Sequence, residues 1–374
     1  RKGFSTIMKI TIYDKYIFKQ VLITTIVAIL LFTVVWIAPE MLLNTIKKTL
    51  EGEYTIKTAI LVLTCQLPLI LSKAFPVGLL LGSLFTFDKL SKDSELTIFR
   101  AVGLPFWRIV RPVLFLSVLV SILCFVTIDK LVPYSSDILA EIKDRNPVSQ
   151  YIYTQKEPSG KPTMSIIVSK YNKTKMSNVI VLDFSESKYT DMHGISQIFV
   201  AQKGKFFHDR WELYDIKHYQ ISSEGIFDNI DHINEMNVLN GHLADDIYTI
   251  MNYSTKKERE LTNANLFRYV KLLKMVRNEE TYNLMLNKFF QRFFHPFICM
   301  LLAIMGCLLG FSKPREQRLI GFTIAIGSIF IYYITLPFFD LLAEKSVLPP
   351  FITAIFPPLA FFACIVAFYK SKDL

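Results

Sequence analysis

Five stretches of the chain carry no Asp, Glu, Lys or Arg over lengths close to the roughly 20 residues a helix needs to span a bilayer. They are Val21 to Pro39, Pro112 to Ile128, Phe293 to Ser312, Leu319 to Phe339 and Ser346 to Tyr369. A sixth, Thr58 to Phe87, is interrupted only by Lys73. Hydrocarbon offers no partner to backbone N–H and C=O groups, so such segments fold as helices that satisfy those groups internally. Pro68 and Pro76 fall inside the sixth stretch. Each removes a helix hydrogen bond, which predicts a bent region: an interfacial segment followed by a spanning helix. The chain therefore reads as six transmembrane helices. Its 52% hydrophobic content exceeds the apolar share of a soluble domain.

The short loops set the orientation. Residues 1–20, 88–111, 313–318 and 370–374 together hold 15 Lys/Arg, whereas residues 40–57 and 340–345 hold 4. Positive charge collects on the cytoplasmic side, so both termini are predicted to be cytoplasmic. Trp36, Trp107 and Tyr369 fall where interfacial aromatics belong. The net charge of +10 is thus mostly topogenic. No basic stripe accompanies a nucleic-acid motif, so no nucleic-acid partner is expected. The first apolar stretch is too long for a signal-peptide core, and no small-residue cleavage site follows it, so it reads as a retained helix. Met8 is a candidate natural start.

Residues 8–130 carry the first three spans and residues 277–374 the last three. Residues 131–276 form a non-spanning region that the same orientation puts outside the cytoplasm. That region opens on a helix, Tyr134 to Lys143, ended by Asn146-Pro147. Short alternating runs follow at Gln150–Thr154, Met164–Lys170, Asn178–Ser185, Ile195–Gln202 and Trp211–Gln220. Pro158-Ser159-Gly160, Tyr171-Asn172-Lys173 and His208-Asp209-Arg210 separate them as turns. Many short strands at this spacing predict an antiparallel sandwich or jelly roll. A helix with a capping signal, Thr262 to about Val276, leads back to the membrane.

No catalytic machinery is apparent. Cys65, Cys124, Cys299, Cys307 and Cys364 all lie in apolar stretches and read as small apolar residues in helices, without disulfide or metal spacing. His193, His208, His218, His232 and His242 fall in the middle region at spacings that fit no helical metal site. Ser159-Gly160-Lys161-Pro162 is the nearest approach to a phosphate loop and lacks the leading glycine. Neither a Ser-His-Asp arrangement, a His-Glu-x-x-His motif nor a nucleophile elbow appears. Gly78-x-x-x-Gly82 and Gly306-x-x-x-Gly310 have the small-residue spacing that lets helices approach closely, although glycine is common in membrane helices anyway.

One loop on the cytoplasmic side has helix punctuation of its own. Ser91, Asp93 and Ser94 are candidate N-caps, and Glu95 sits near the positive end of the helix dipole. Arg100 falls in the last turn, and Gly103 can close the helix in the left-handed conformation. A capped helix over 91–103, held against a membrane face, can receive a push from a soluble motor. Asp93, Glu95, Leu96, Phe99, Arg100 and Gly103 are the candidate coupling residues. For Glu95 two readings stand: contact with a basic pocket on a motor subunit, or a carboxylate that only favours the dipole. Lys47 and Lys48 lie on the external side, against the charge trend. They either bind anionic lipid headgroups or phosphorylated sugars, or form a solvated pair beside Glu51 and Glu53. Arg292 is a third candidate lipid contact. Like Lys73 it lies near a predicted helix end, where it snorkels or faces a polar cavity.

Pro76 through Gly103, with Gly82, Asp93-Ser94-Glu95-Leu96 and Ala101-x-Gly103, resembles the second helix and coupling helix of the LptF/LptG (YjgP/YjgQ) permeases. Pro133-Tyr134-Ser135 through Leu139-Ala140-Glu141 to Asn146-Pro147 is similar to the helix entering the F-type β-jellyroll. Lys47-Lys48 before Glu51-Gly52-Glu53-Tyr54, Tyr269-Val270-Lys271-x-Leu273-Lys274, and Pro349-Pro350 are similar to the G-type. Met41 departs from it, standing where G-type members tend to carry a lysine. F-type versus G-type stays open on these residues. The likeness runs from Met8 to Tyr369.

The resemblance implies an α-helical membrane protein with six transmembrane helices plus an inserted periplasmic β-jellyroll domain. It implies the permease of an ABC exporter that extracts lipopolysaccharide from the inner membrane. The implied partners are an LptB-like ATPase dimer, a second LptF/LptG-type permease or another copy of this chain, LptC- and LptA-like periplasmic proteins, lipopolysaccharide and membrane lipids. ATP and Mg would sit on the ATPase, and no cofactor in this chain. By the same resemblance Glu95 is the coupling-helix carboxylate, and Lys47 and Lys48 match a basic pair near the cavity mouth. Two rivals stay open: an exporter of another envelope lipid, and a non-transporting anchor for an envelope complex, which has no need of a capped cytoplasmic helix.

Overall fold

In the computed structural model, the described residues are 11–37, 41–142, 151–156, 161–172, 175–184, 195–207, 210–221, 227–240, 242–254, 256–276, 278–311 and 318–371. Met8, Pro39, Asn146-Pro147, Pro158-Ser159-Gly160, Lys173, His193, His208-Asp209 and most of the 313–318 loop lie outside them, as do the side chains of Trp36 and His242. The chain divides into two compact units, Arg1–Leu139 with Asn283–Leu374, and Ala140–Tyr282.

The first unit opens with α1 (Ile12–Ile37), α2 (Leu43–Leu50), α3 (Ile56–Lys92), α4 (Glu95–Ala101) and α5 (Phe106–Val126). A π-helical turn, Thr127–Leu131, carries α5 into α6 (Val132–Ile142). α3 is a single 37-residue helix with Pro68 and Pro76 both inside it. The separate interfacial segment expected there does not form. Proline 76 deprives the Ser72 carbonyl of its helical donor, and Cys124 Sγ of α5 reaches that oxygen at 3.5 Å. Neighbouring helices thus supply what the proline removes.

The inserted unit holds six described strands: β1 (Tyr151–Lys156), β2 (Pro162–Asn172), β3 (Lys175–Asp183), β4 (Gln197–Phe207), β5 (Arg210–Ile221) and β6 (Phe227–Asn240). They form one antiparallel sheet in chain order. Two helices follow, α7 (His242–Ser254) and α8 (Asn263–Val276). A line of irregularity crosses the sheet. Asn178 and Asp215 sit in mid-strand at φ of 54° and 56°. On one side of that line Met176, Gly204, Leu213 and Met236 pair across the strands; on the other Val179, Ala201, Ile216 and Ile233 do. The two rows are three residues apart on every strand. Regular alternation would put them on opposite faces, yet Met176, Leu213, Val179, Ala201 and Ile216 share one core with Ala244, Ile247 and Met251 of α7. The left-handed residues absorb the extra step, and the sheet bends across the line as a roll, with no second sheet stacked on it among the described residues.

Asparagine tolerates that backbone better than other residues with a β-carbon. Asn178→Ala is therefore expected to destabilise the inserted unit by about 1 kcal/mol, while Asn178→Gly leaves it unchanged. Limited proteolysis of the full chain checks this through the cleavage rate within residues 140–282, which rises about fivefold only for the alanine variant.

The helical unit resumes with α9 (Glu279–Gly310), α10 (Arg318–Glu344) and α11 (Pro350–Ser371). Among the described residues, six helices are long and apolar enough to cross a membrane: Ile12–Val35, Ile56–Lys92, Phe106–Ile142, Glu279–Gly310, Ile320–Glu344 and Pro350–Lys370. α3 lies at the centre of their packing. A β-carbon on Gly78 would stand 2.2 Å from Ile29 Cγ1, and one on Gly82 would stand 2.6 Å from the Thr25 Cα, so α1 rides directly on this pair. On the other side, β-carbons at Gly306 and Gly310 would stand 2.4 Å and 2.5 Å from the carbonyls of Leu80 and Leu84. Both glycine pairs therefore lie where helix backbones meet.

Candidate functional site

The loop between α3 and α5 gathers the six candidate coupling residues. Asp93 ends α3, so residues 91 and 92 belong to that helix, and α4 starts at Glu95 instead of the expected 91. Ser94 stands between the two helices at φ 60° and makes no side-chain cap. At the other end Gly103 takes φ +85°. Its N–H donates to the Arg100 carbonyl at 2.8 Å, and that of Leu104 donates to the Phe99 carbonyl at 3.1 Å. This paired closure needs a left-handed residue, for which glycine carries no steric cost.

The first turns of α1 grip this loop. The Tyr16 hydroxyl donates to Glu95 Oε1 at 2.9 Å. The Tyr13 ring lies 5.9 Å from that of Phe99, and Leu96 is buried beneath the helix. Asp14 accepts both arms of Arg108, the first basic residue of α5, at 2.9 and 3.0 Å. Thr11 completes the Asp14 carboxylate through its N–H at 2.9 Å and its hydroxyl at 2.7 Å. The Arg108 guanidinium also lies over the Tyr13 ring, 4.9 Å from its centre. A bidentate pair held this way is more directional than a lysine contact. Tyr13, Asp14 and Tyr16 thereby join α1 to both α4 and α5.

Arg100 lies over the Phe311 ring, just past the end of α9, at 5.6 Å. Beside it opens a cleft of about 360 Å³ lined by Arg100, Gly103, Pro105, Phe106, Phe311 and Tyr369. The ends of α4, α5, α9 and α11 meet there, so an insert in this cleft touches four helices at once.

The family described as lipopolysaccharide export system permease LptF/LptG matches residues 15–371. The chain belongs to the LptF/LptG family. No curated protein matches it. It is a permease of the lipopolysaccharide export system and a multi-pass inner-membrane protein, and its family is not one of enzymes. The matched span contains α4, both glycine pairs and the inserted β-jellyroll domain.

The candidate lipid contacts of this LptF/LptG permease are not brought together with α4. Lys47 and Lys48 lie on α2, past the far end of α1, whose 26 residues span about 39 Å. Lys47 faces Glu51 at 3.8 Å and Lys48 faces Glu53 at 2.8 Å, all four side chains well exposed. The bond it donates to the Glu53 carboxylate holds the Lys48 ammonium above its ordinary pKa. Arg292 is not a helix-end residue: α9 begins thirteen residues earlier, at Glu279, and buries Arg292 to 7% exposure. Snorkelling to a headgroup is therefore not its conformation here.

A polar cluster that the sequence did not announce lies nearer that far end. Asp340 of α10 accepts from Asn287 Nδ2 and Gln291 Nε2, both at 2.9 Å, and from the Lys288 ammonium. Thr353 of α11 donates to Asn287 Oδ1 at 2.9 Å. The Asp340 carboxylate joins α10 to α9, and the Asn287 amide extends the cluster to α11, with Asn287 and Thr353 fully buried. Polar residues this deep in a bundle are costly unless bonded, and these are bonded.

Proposed function

We propose that this permease extracts lipopolysaccharide from the inner membrane and passes it to a periplasmic bridge, with α4 as the coupling helix of a separate ATPase dimer. The observation that carries the reading is the bonding of α4 to the start of α1 through Tyr16 and Glu95. A stroke on α4 would draw α1 with it, and the Asp14–Arg108 pair would carry the same stroke to α5. ATP and Mg stay on the ATPase. A second LptF/LptG-type permease, or a second copy of this chain, would complete a lateral cavity that α1 and α10 narrow. Leu30, Leu31, Val34 and Val35 of α1 and Phe330, Ile331, Ile334 and Phe338 of α10 are exposed, and they offer acyl chains an apolar wall. The inserted domain would then hand lipid to LptC- and LptA-like proteins. The excess of Lys/Arg at the α4 end supports a cytoplasmic position for that end and a periplasmic one for the inserted domain.

In this reading Lys47 and Lys48 receive lipid phosphates at the rim. Exposed ion pairs contribute at most about 1 kcal/mol, so both lysines can leave Glu51 and Glu53 for a phosphate that engages two cations. Lys47→Glu with Lys48→Glu is expected to reduce photocrosslinking of lipopolysaccharide at this end several-fold. Unchanged crosslinking would assign the lysines to surface pairing alone.

Copurification from native membranes, with mass spectrometry of bound proteins and lipids, tests the whole reading. An ATPase together with lipopolysaccharide is the expected result. Envelope proteins without an ATPase would make the chain an anchor, and an ATPase with a different lipid would replace the substrate.

A further inference from the structure

Where α5 crosses α9, three metal-ligating side chains converge inside the helical unit. Cys124 of α5 and His295 and Cys299 of α9 bring their ligand atoms within 4.8 Å of one another. His295 and Cys299 are four residues apart, which puts them on one helix face. The crossing is fixed close by: Ser121 donates to the Pro296 carbonyl at 2.9 Å, and the rings of Phe125 and Phe293 lie 5.8 Å apart. Both sulfur-bearing residues are fully buried. His295 Nε2 is buried and has no hydrogen-bond partner. An imidazole nitrogen left unbonded in an apolar bundle is costly, and a ligand at this point would remove that cost.

We infer that Cys124, His295 and Cys299 form a zinc site inside the helical bundle. In a tetrahedral zinc site, bond lengths of about 2.3 Å to sulfur and 2.0 Å to nitrogen place ligand atoms about 3.3–3.8 Å apart. The observed cluster needs to contract by only about 1 Å, within the reach of side-chain rotation. The charges favour this ion. Two thiolates and a neutral imidazole around a divalent cation sum to zero, the one balance that low-dielectric surroundings accept without a counter-ion. A monovalent copper ion on the same ligands would leave a net negative charge. A cavity of about 50 Å³ borders His295, with Gln291 and Tyr332 in its wall, enough for a water molecule. A disulfide between the two cysteines would leave His295 Nε2 as unbonded as before. The thiol bond from Cys124 to the Ser72 carbonyl, which the metal would displace, is long at 3.5 Å. The metal would staple α5 to α9, the helices on either side of the inserted unit, and it is independent of which lipid the chain carries.

The full chain, purified in nanodiscs from zinc-supplemented cells and desalted, is expected to hold about one zinc per chain. Grown with cobalt instead, it should show the thiolate-to-cobalt charge-transfer band and the strong visible absorption of a tetrahedral site. Cys124→Ser with Cys299→Ser, and separately His295→Ala, should lose both signals. A chain with Cys65→Ser, Cys307→Ser and Cys364→Ser should keep them. Wild-type chain that folds, yet carries neither zinc nor a cobalt band, would overturn the site whatever the variants do. So would a Cys124–Cys299 disulfide in peptides alkylated under denaturing conditions.

Discussion

Gly82→Leu is expected to prevent α1 from docking on α3 and to abolish export together with the folded bundle. At this position a β-carbon would stand 2.3 Å from Thr25 Oγ1, 2.6 Å from its Cα and 2.8 Å from its N. Two of those atoms are backbone, so relief requires one helix to move off the other. The shift also breaks the bonds gathered at this point. Thr24 Oγ1 reaches the Gly82 carbonyl at 3.0 Å and Thr86 Oγ1 at 2.7 Å. Overpacking typically costs about 1–3 kcal/mol per extra methylene set, and lost interhelical bonds add about 0.6 kcal/mol each. Even Gly82→Ala should lose about 3 kcal/mol, roughly a hundredfold in the docking equilibrium. Gly78→Ala should be milder. Its nearest neighbour is the Ile29 side chain, which can rotate, and the nearest backbone atom lies at 3.3 Å. Thermal unfolding in detergent, read as loss of monodisperse protein, ranks the two. Equal effects at the two sites would show that α1 is held elsewhere.

The spans were legible because charge-free runs leave hydrocarbon no other fold, and the glycine pairs were legible as spacing. What escaped depended on atoms from elsewhere in the chain. Pro68 and Pro76 argued for a break in α3, but Cys124 and Tyr333, on other helices, bond the Ser72 and Lys73 carbonyls. β6 was hidden for two reasons. Its run from Phe227 to Asn240 is rich in Asp and Asn, which strands disfavour. A register shift also passes Trp211 opposite Leu239 to Glu212 opposite Asn237, so alternation fails at Val238. At the site, Glu95 and Gly103 could be read from helix punctuation. Asp14 and Arg108 could not, being 94 residues apart. A faint signal existed: Asp14 is the sole acid in a basic stretch, residues 1–20, which leads into an apolar run. The cysteines were read as apolar filler because their grouping exists only across α5 and α9. His295-x-x-x-Cys299 was the spacing to notice.

Glu95→Ala is expected to stop export while leaving the bundle folded, and Tyr16→Phe to separate the two duties of that carboxylate. Glu95 accepts from Tyr16 at 2.9 Å and is itself half exposed. A hydrogen bond to a charged acceptor contributes about 1.5 kcal/mol, close to tenfold in an equilibrium. Tyr16→Phe removes only that bond and leaves the carboxylate free for an ATPase. ATPase binding should then persist, with lipopolysaccharide release from proteoliposomes slowed about tenfold per ATP hydrolysed. Glu95→Ala removes the bond and the charge together, so binding and release should both fall, and Glu95→Arg should lower binding further by placing like charge against a basic pocket. The fold should survive all three, because Leu96, Phe99 and the Gly103 closure hold α4 without the carboxylate. Pull-down of the ATPase and ATP-normalised release, measured on the same preparations, separate the outcomes. If Tyr16→Phe exports normally, α4 does not act through α1. If Glu95→Ala also binds and exports normally, the carboxylate serves only the dipole of its own helix.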